Sequence, residues 1–361
     1  MLEMTTHIPA TLSALSTYCR LPNLFRVTAL RREPQVKGTL VTAHLYHASA
    51  ALTVRWKCWF PDSRLVEGSL VRVLWKRFPD SLEGIIDISR LVVLELPERD
   101  ENLFLTVPSD WVADRTLIAR AVRLWDELPA VMQEAFNVLF WESGRFYRYC
   151  QAPSSMRGHH DTVSGNLRHS VDTAEAALSL SSLADGVHLG VLTLAALLHD
   201  AGKADEYRLS TSGKWQLTNR GNLLGHKITI VEWLAVAREK MRQGFPENQY
   251  LSLQHALTAV QGSSSWGGLR QAMTPEANIL AAVDRASGQG DLMARHQSAE
   301  GGWGYAHPHL KCKPFSVEAL GRNRMRGLEA LQARIEARKN GSEPADHQAS
   351  TAKGQRRTLS F

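Results

Sequence analysis

The stretch LTLAALLHDAGK constrains the fold of this chain more than any other. Its apolar run ends in His199 and Asp200, an imidazole beside a carboxylate at what reads as a buried helix end. Burying a charge without compensation costs several kcal/mol or more, and a divalent cation is the compensation that suits both groups. His169 sits on a second amphipathic pattern, SGNLRHSVDTAEAAL, and Asp284 on a third, ANILAAVDRAS. Two histidines and two aspartates from three helices would close around one ion.

A chain of 361 residues has room for two domains of ordinary size. Cys19, Cys58, Cys150 and Cys312 are far apart and form no CxxC pair, so neither a zinc knuckle nor a disulfide framework is implied. That usage fits a reducing cytoplasm. The opening MLEMTTHIPATLSALSTYCR lacks a basic region followed by an apolar core, and no run approaches the roughly 18 apolar residues of a membrane span. The expectation is a soluble, cytoplasmic protein with no membrane partner. A net charge of +6 suits a polyanionic partner but does not establish one.

From Phe25 to about Leu96 the period is near two, with β-branched and aromatic residues in FRVTALRR, TLVTAHLY, ALTVRWKCW, SLVRVLWKRF and EGIIDISRLVVLEL. These are five strands, with the longer connection FPDSRLVEG between the third and fourth, an order that fits a Greek-key barrel of the OB type. Other five-stranded barrels or sandwiches share the pattern. Arg55, Trp56 and Lys57, then Trp75 and Lys76, interleave cations with aromatics as a single-stranded nucleic-acid platform requires. Trp56 and Trp75 equally fit the inward face of a barrel.

From about Trp111 to Arg338 apolar residues recur at steps of three and four, the pattern of an all-α domain. EYRLSTSGKWQLTNRG interrupts it as a hairpin or extended loop around Ser212 and Gly213, before a helix that opens near His226. The expected class is α+β. Its divisions are an N-terminal segment over 1–20, an OB-like nucleic-acid-binding domain over 21–98, a helical linker over 99–150, an all-α domain over 151–315, a basic helix over 316–339 and a disordered tail over 340–361.

The order His169, His199 with Asp200, then Asp284 resembles the HD superfamily of metal-dependent phosphohydrolases. With the barrel, APSSMRGHHDTVSGNLRHS, LLHDAGK, GNLLGH and MTPEANILAAVD, the stretch from about Leu21 to Met293 resembles the YhaM group of 3'-to-5' exoribonucleases, which join an OB-fold to an HD domain. HD-type relaxases of conjugative elements share the HH, glycine and HS pattern before the first ligand. The resemblance implies metal ligands at His169, His199, Asp200 and Asp284, and places His159 and His160 beside the site as phosphate contacts or proton donors. It also implies a second ion, held in two-metal members by a further histidine and a histidine pair. Here His226 stands at the former position, but Val260 and Gln261 stand at the pair, so one ion per chain is expected.

Nitrogen and oxygen ligands suit Mn, Fe, Ni, Zn or Mg to different degrees. An ion there would make its water acidic enough for in-line attack on a phosphodiester. Lys203, four residues after His199, would hold a phosphate oxygen or assist the leaving group, unless Gly202 ends the helix and leaves it on the surface. Of the other candidates, His188 reads as a helix-end residue, His255 projects elsewhere, and Asp291 could support a ligand histidine. The spacing of His307, His309 and Cys312 lacks the second pair that a zinc site needs. The expected activity is metal-dependent hydrolysis of single-stranded RNA or DNA, by a monomer or homo-oligomer. Competing readings are a weakened HD protein serving as a nucleic-acid-binding or conjugation partner, and a nucleotide phosphohydrolase.

Overall fold

The computed structural model describes residues 21–156, 162–259, 269–307, 310 and 312–317. The chain divides into two compact units, Met1–Leu292 and Met293–Phe361. No helix among the described residues is long and apolar enough to cross a membrane.

The first unit opens on a curled sheet of six strands: β1 Phe25–Pro34, β2 Thr39–His47, β3 Ala50–Cys58, β4 Leu70–Leu74, β5 Ile85–Asp87 and β6 Arg90–Val93. The strand order is β5-β3-β2-β1-β4-β6. β5 runs parallel to β3, and β6 runs antiparallel to β4. The expected fifth strand is thus two strands, bent at Ile88 and Ser89. Both amides stay paired across the bend, Ile88 N–H to Arg55 O at 2.9 Å and Ser89 N–H to Leu74 O at 2.8 Å. The two edges of the curled sheet are therefore consecutive pieces of one segment. Alternation fills the inside with Val41, Ala43, Leu45, Leu52, Val54, Trp56, Val71, Ile86 and Leu91.

The outer face of β1 is covered as well. Arg26 is fully buried, donating to Thr106 Oγ1 at 2.7 Å and Gly68 O at 2.8 Å, with its guanidinium 4.6 Å from the Trp111 ring centre and 5.4 Å from that of Phe146. This contact ties the sheet to the helices that follow.

Those helices are α1 Arg115–Asp126, α2 Ala130–Phe140, α3 Ser143–Gln151, α4 Gly165–Leu180, α5 Leu189–Leu198, the single turn α6 Lys203–Glu206, α7 Asn219–Leu223, α8 Gly225–Lys240, α9 Glu247–Thr258 and α10 Pro275–His296. Between α6 and α7 lies the expected hairpin, β7 Tyr207–Leu209 paired with β8 Trp215–Leu217. Phe136 and Phe140 of α2 and Phe146 and Tyr149 of α3 share one hydrophobic core with Leu167 of α4 and Leu194 of α5, so the expected linker is part of the helical body. α5 is buried on every face from Gly190 to Leu198, as a helix apolar all round must be. His188 caps its start by accepting from Val191 N–H.

In the second unit, β9 Gly302–Trp303 pairs with β10 Phe315–Ser316. The first residue of the expected basic helix, Ser316, therefore lies in a strand; 318–361 and 1–20 lie outside the described residues.

Candidate metal centre

α5 ends at Leu198 and delivers His199 and Asp200 from the following turn, both almost fully buried. His169 comes from the buried face of α4 and Asp284 from α10. His169 Nε2 lies 3.0 Å from Asp284 Oδ1 and 3.1 Å from His199 Nε2; His199 Nε2 lies 3.5 Å from the same carboxylate oxygen. Asp200 Oδ2 stands 3.6 Å and 3.7 Å from the two Nε2 atoms. One ligand atom each from His169, His199 and Asp284 falls within 4.8 Å of the others, a cluster able to hold a metal ion.

The outer ring nitrogens fix the rings. His199 Nδ1 donates to Ala196 O at 2.8 Å, which leaves the Nε2 lone pair pointing inward. His169 Nδ1 meets Ser287 Oγ at 3.1 Å, a support for this ring that the sequence did not mark. The donor set and its orientation fit a divalent cation.

Charge follows the same geometry. Burial alone would push the Asp200 carboxyl up, but the charges of Lys203, His199, His226 and His169 outweigh it and hold the group well below the usual carboxylate range. Burial opposes ionisation of Asp284 too, and its contacts with His169 and His199 reverse the effect. For His199, burial is outweighed by Asp200 and Asp284, and its pKa is raised.

Lys203 is a buried residue, not an exposed one at a helix end. Its ammonium donates to Asp200 Oδ2 and to Ser154 O, each at 2.5 Å, while Ser154 Oγ donates to Asp200 Oδ2 at 3.2 Å. Gly202 has an ordinary helical φ and serves close approach instead: a Cβ there would stand 2.3 Å from His226 O. That approach brings His226 Nε2 within 3.5 Å of Asp200 Oδ1, and Glu206 Oε2 holds the other ring nitrogen at 3.0 Å. His255 is elsewhere, accepting from Met273 N–H. His159, His160, Val260, Gln261 and His309 lie outside the described residues.

Sequence reasoning missed Ser154, Ser287, Glu206 and Lys227. Burial lowers the pKa of Lys227, against the opposing fields of Asp284 and Asp200, and its ammonium donates to Ala259 O at 3.2 Å. Only the GH dipeptide at Gly225 and His226 hinted that position 227 would come near the site.

One ring of the expected nucleic-acid platform is turned inward. Trp56 is in the barrel core, because it shares the parity of Leu52 and Val54 on β3. Arg55 is engaged by Asp87 through two hydrogen bonds, at 3.0 Å and 3.1 Å. Trp75 is half-buried against Phe78, and Lys57 and Lys76 are exposed.

Residues 166–288 match the family model described as HD domain. This segment is an HD domain. The chain is also 31% identical over 147 residues to the 3'-5' exoribonuclease YhaM of Bacillus pumilus (strain SAFR-032), covering 41% of this chain and 46% of that protein. It is 32% identical over 143 residues to the 3'-5' exoribonuclease YhaM of Bacillus subtilis (strain 168), covering 40% and 44%. The protein of the same name from Listeria welshimeri is 32% identical over 139 residues, covering 38% and 42%. The chain thus matches less than half the length of each of these relatives. No solved structure gives a significant match.

Proposed function

We propose that this chain is a divalent-metal-dependent phosphodiesterase that shortens single-stranded nucleic acid from an end, as the name of its exoribonuclease relatives describes. The observation that carries the reading is the inward convergence of His169, His199 and Asp284 within an HD domain. One ion per chain is proposed, with His169, His199, Asp200 and Asp284 as ligands. Beside it, only His226 and Asp200 Oδ1 offer the start of a second position among the described residues.

A divalent ion supplies Lewis acidity to a phosphoryl oxygen and makes a water acidic near neutral pH. The chain's own residues do the rest. Ala196 O and Ser287 hold the two imidazoles in place. Lys203 and Ser154 fix Asp200 in its ionised form. Lys227, in the field of Asp284 and Asp200, is the cation proposed to meet a substrate phosphate. His159 and His160 are retained as proposed phosphate contacts.

The test is digestion of end-labelled single strands and of free nucleotides with Mn(II), comparing wild type with His199→Ala and Asp284→Asn. A ladder from the strands that both variants lose supports the reading. Turnover of free nucleotides alone would make the chain a nucleotide phosphohydrolase, and metal binding without turnover of either substrate would leave it a binding protein.

A further inference from the structure

The exposed aromatic residues of the barrel are not those that the sequence pattern singled out. Trp59 and Phe60, immediately after β3, are 70% and 92% exposed. Strand register shows what lies beside them. Thr39 at the start of β2 pairs with Cys58, and Leu40 pairs with Lys57. The β1–β2 turn at 35–38 therefore folds over the end of β3, closed by Gln35 N–H to Gly38 O at 2.9 Å. Gly38 is required there: its φ is +86°, and a Cβ would stand 2.6 Å from Cys58 O and 3.6 Å from Trp59 Cα. Lys37, Lys57, Trp59 and Phe60 are thus held at one end of the barrel, all of them exposed.

Charge decides what this end suits. Elsewhere on the barrel several arginines are matched by carboxylates, Arg31 with Glu33, Arg55 with Asp87, Arg64 with Asp62 and Arg72 with Glu98, while Arg32 meets only the carbonyls of Asp62 and Leu65 among the described residues. Lys37 and Lys57 have no carboxylate within salt-bridge distance among the described residues. The nearby acids Glu33 and Asp62 are already occupied by Arg31 and Arg64. Two exposed rings beside two unmatched ammonium groups complement a flexible polyanion with exposed π faces.

We propose that the barrel end formed by Lys37, Lys57, Trp59 and Phe60 binds single-stranded nucleic acid, with unpaired bases stacked on the two rings and phosphates against the two ammonium groups. The proposal rests on the reading of the chain as a nuclease, and it locates the part of the strand outside the metal centre.

The test uses the full chain and fluorescently labelled single-stranded oligo(U) and oligo(dT), with fluorescence anisotropy as the readout and Ca(II) in place of a catalytic metal. Trp59→Ala with Phe60→Ala should weaken binding roughly thirtyfold or more, since each of the two bases stacked on an aromatic side chain is worth about 1–3 kcal/mol. Lys37→Gln with Lys57→Gln should reduce the slope of log affinity against log salt by about 1.4, the counterion release expected of two phosphate contacts on a single strand. Both double variants should hydrolyse bis(p-nitrophenyl) phosphate as wild type does, whereas His199→Ala should lose hydrolysis but keep oligonucleotide affinity. Wild-type affinity and salt slope in both double variants would overturn the proposal while leaving the nuclease reading intact. So would self-association of the wild type that Trp59→Ala abolishes while oligonucleotide affinity is unchanged, because the rings would then serve a second copy of the chain. Binding that needs these residues, without cleavage of any strand, would uphold the surface and remove the nuclease reading.

Discussion

The Nε2 atoms of His169 and His199 stand 3.1 Å apart, and both approach Asp284 Oδ1, at 3.0 Å and 3.5 Å. With His199 Nδ1–H given to Ala196 O, the His199 Nε2 carries a lone pair toward its neighbour. Two imidazole nitrogens this close are compatible only with a proton or a cation shared between them and the carboxylate. The geometry therefore makes a bound cation more stabilising here than on an ordinary polar surface.

Titration of metal-free protein with Mn(II), followed by calorimetry, should show one ion per chain, and His199→Ala or Asp284→Asn should remove it. At a free concentration a hundred times the dissociation constant, the ion should stabilise the wild type by about 2.7 kcal/mol, read as a rise in Tm absent from both variants. Undiminished binding in both variants would take these two residues out of the ligand set.

Ser287 supports His169 rather than offering itself as a ligand, since its hydroxyl meets the outer Nδ1 at 3.1 Å. Ser287→Ala should weaken metal affinity by roughly tenfold, the lower range for losing an outer partner of a ligating histidine, with little change in Tm of the metal-free protein. Ser287→Thr keeps the hydroxyl and should restore most of the affinity. Equal affinities in all three proteins would show that the ring is held by packing alone.

The parts of this protein legible in the sequence are those that depend on local period. Val41, Ala43 and Leu45 alternate with polar neighbours and point inward, and the same parity on β3 carries Trp56 into the core. The bend at Ile88 and Ser89 was not legible, because both halves of that segment keep the alternation and only pairing with two different strands separates them. At the site, His169, His199 and Asp284 were marked by polar residues on apolar patterns, as expected of groups that burial would otherwise penalise. Gly202 read as a helix stop because its true constraint, the backbone of His226, is distant in sequence. Ser154, Ser287 and Glu206 were silent for a related reason: a serine or glutamate on a helix face carries no local sign of which ring or carboxylate it will meet.

His47 provides a pH-dependent element in the barrel. Its ring is buried at the end of β2, and Nδ1 accepts from Ser49 N–H at 3.2 Å, which requires the neutral form. Burial lowers its pKa from the ordinary 6.5 to about 4. Protonation is thus easier in the unfolded chain, so the stability owed to the neutral ring is fully present above pH 6.5 and is lost as the pH falls from there toward 4. Allowing for partial contact with water, the loss is on the order of 2 kcal/mol. Urea midpoints of wild type and His47→Gln should converge as the pH falls from 7.5 to 4.5. Parallel pH profiles would assign the acid sensitivity to other groups.

Arg26 is a buried cation without a carboxylate partner among the described residues, satisfied by Gly68 O, Thr106 O and Thr106 Oγ1 and by the faces of Trp111 and Phe146. What the site uses is a planar fork of donors between two rings, and a lysine does not reproduce it. Arg26→Lys should therefore behave as a disruptive change: it keeps the charge, whose burial opposes folding, and leaves at least one of these acceptors unpaired, at a cost of about 1–3 kcal/mol. Because these acceptors lie in the turn before β4 and in the segment entering the helices, the loss should loosen the sheet from the helical core. Hydrogen exchange should then quicken around residues 102–112 in Arg26→Lys while remaining slow in α5, and the urea transition should broaden. Wild-type stability and protection in Arg26→Lys would show that a positive charge alone is enough to hold the two together.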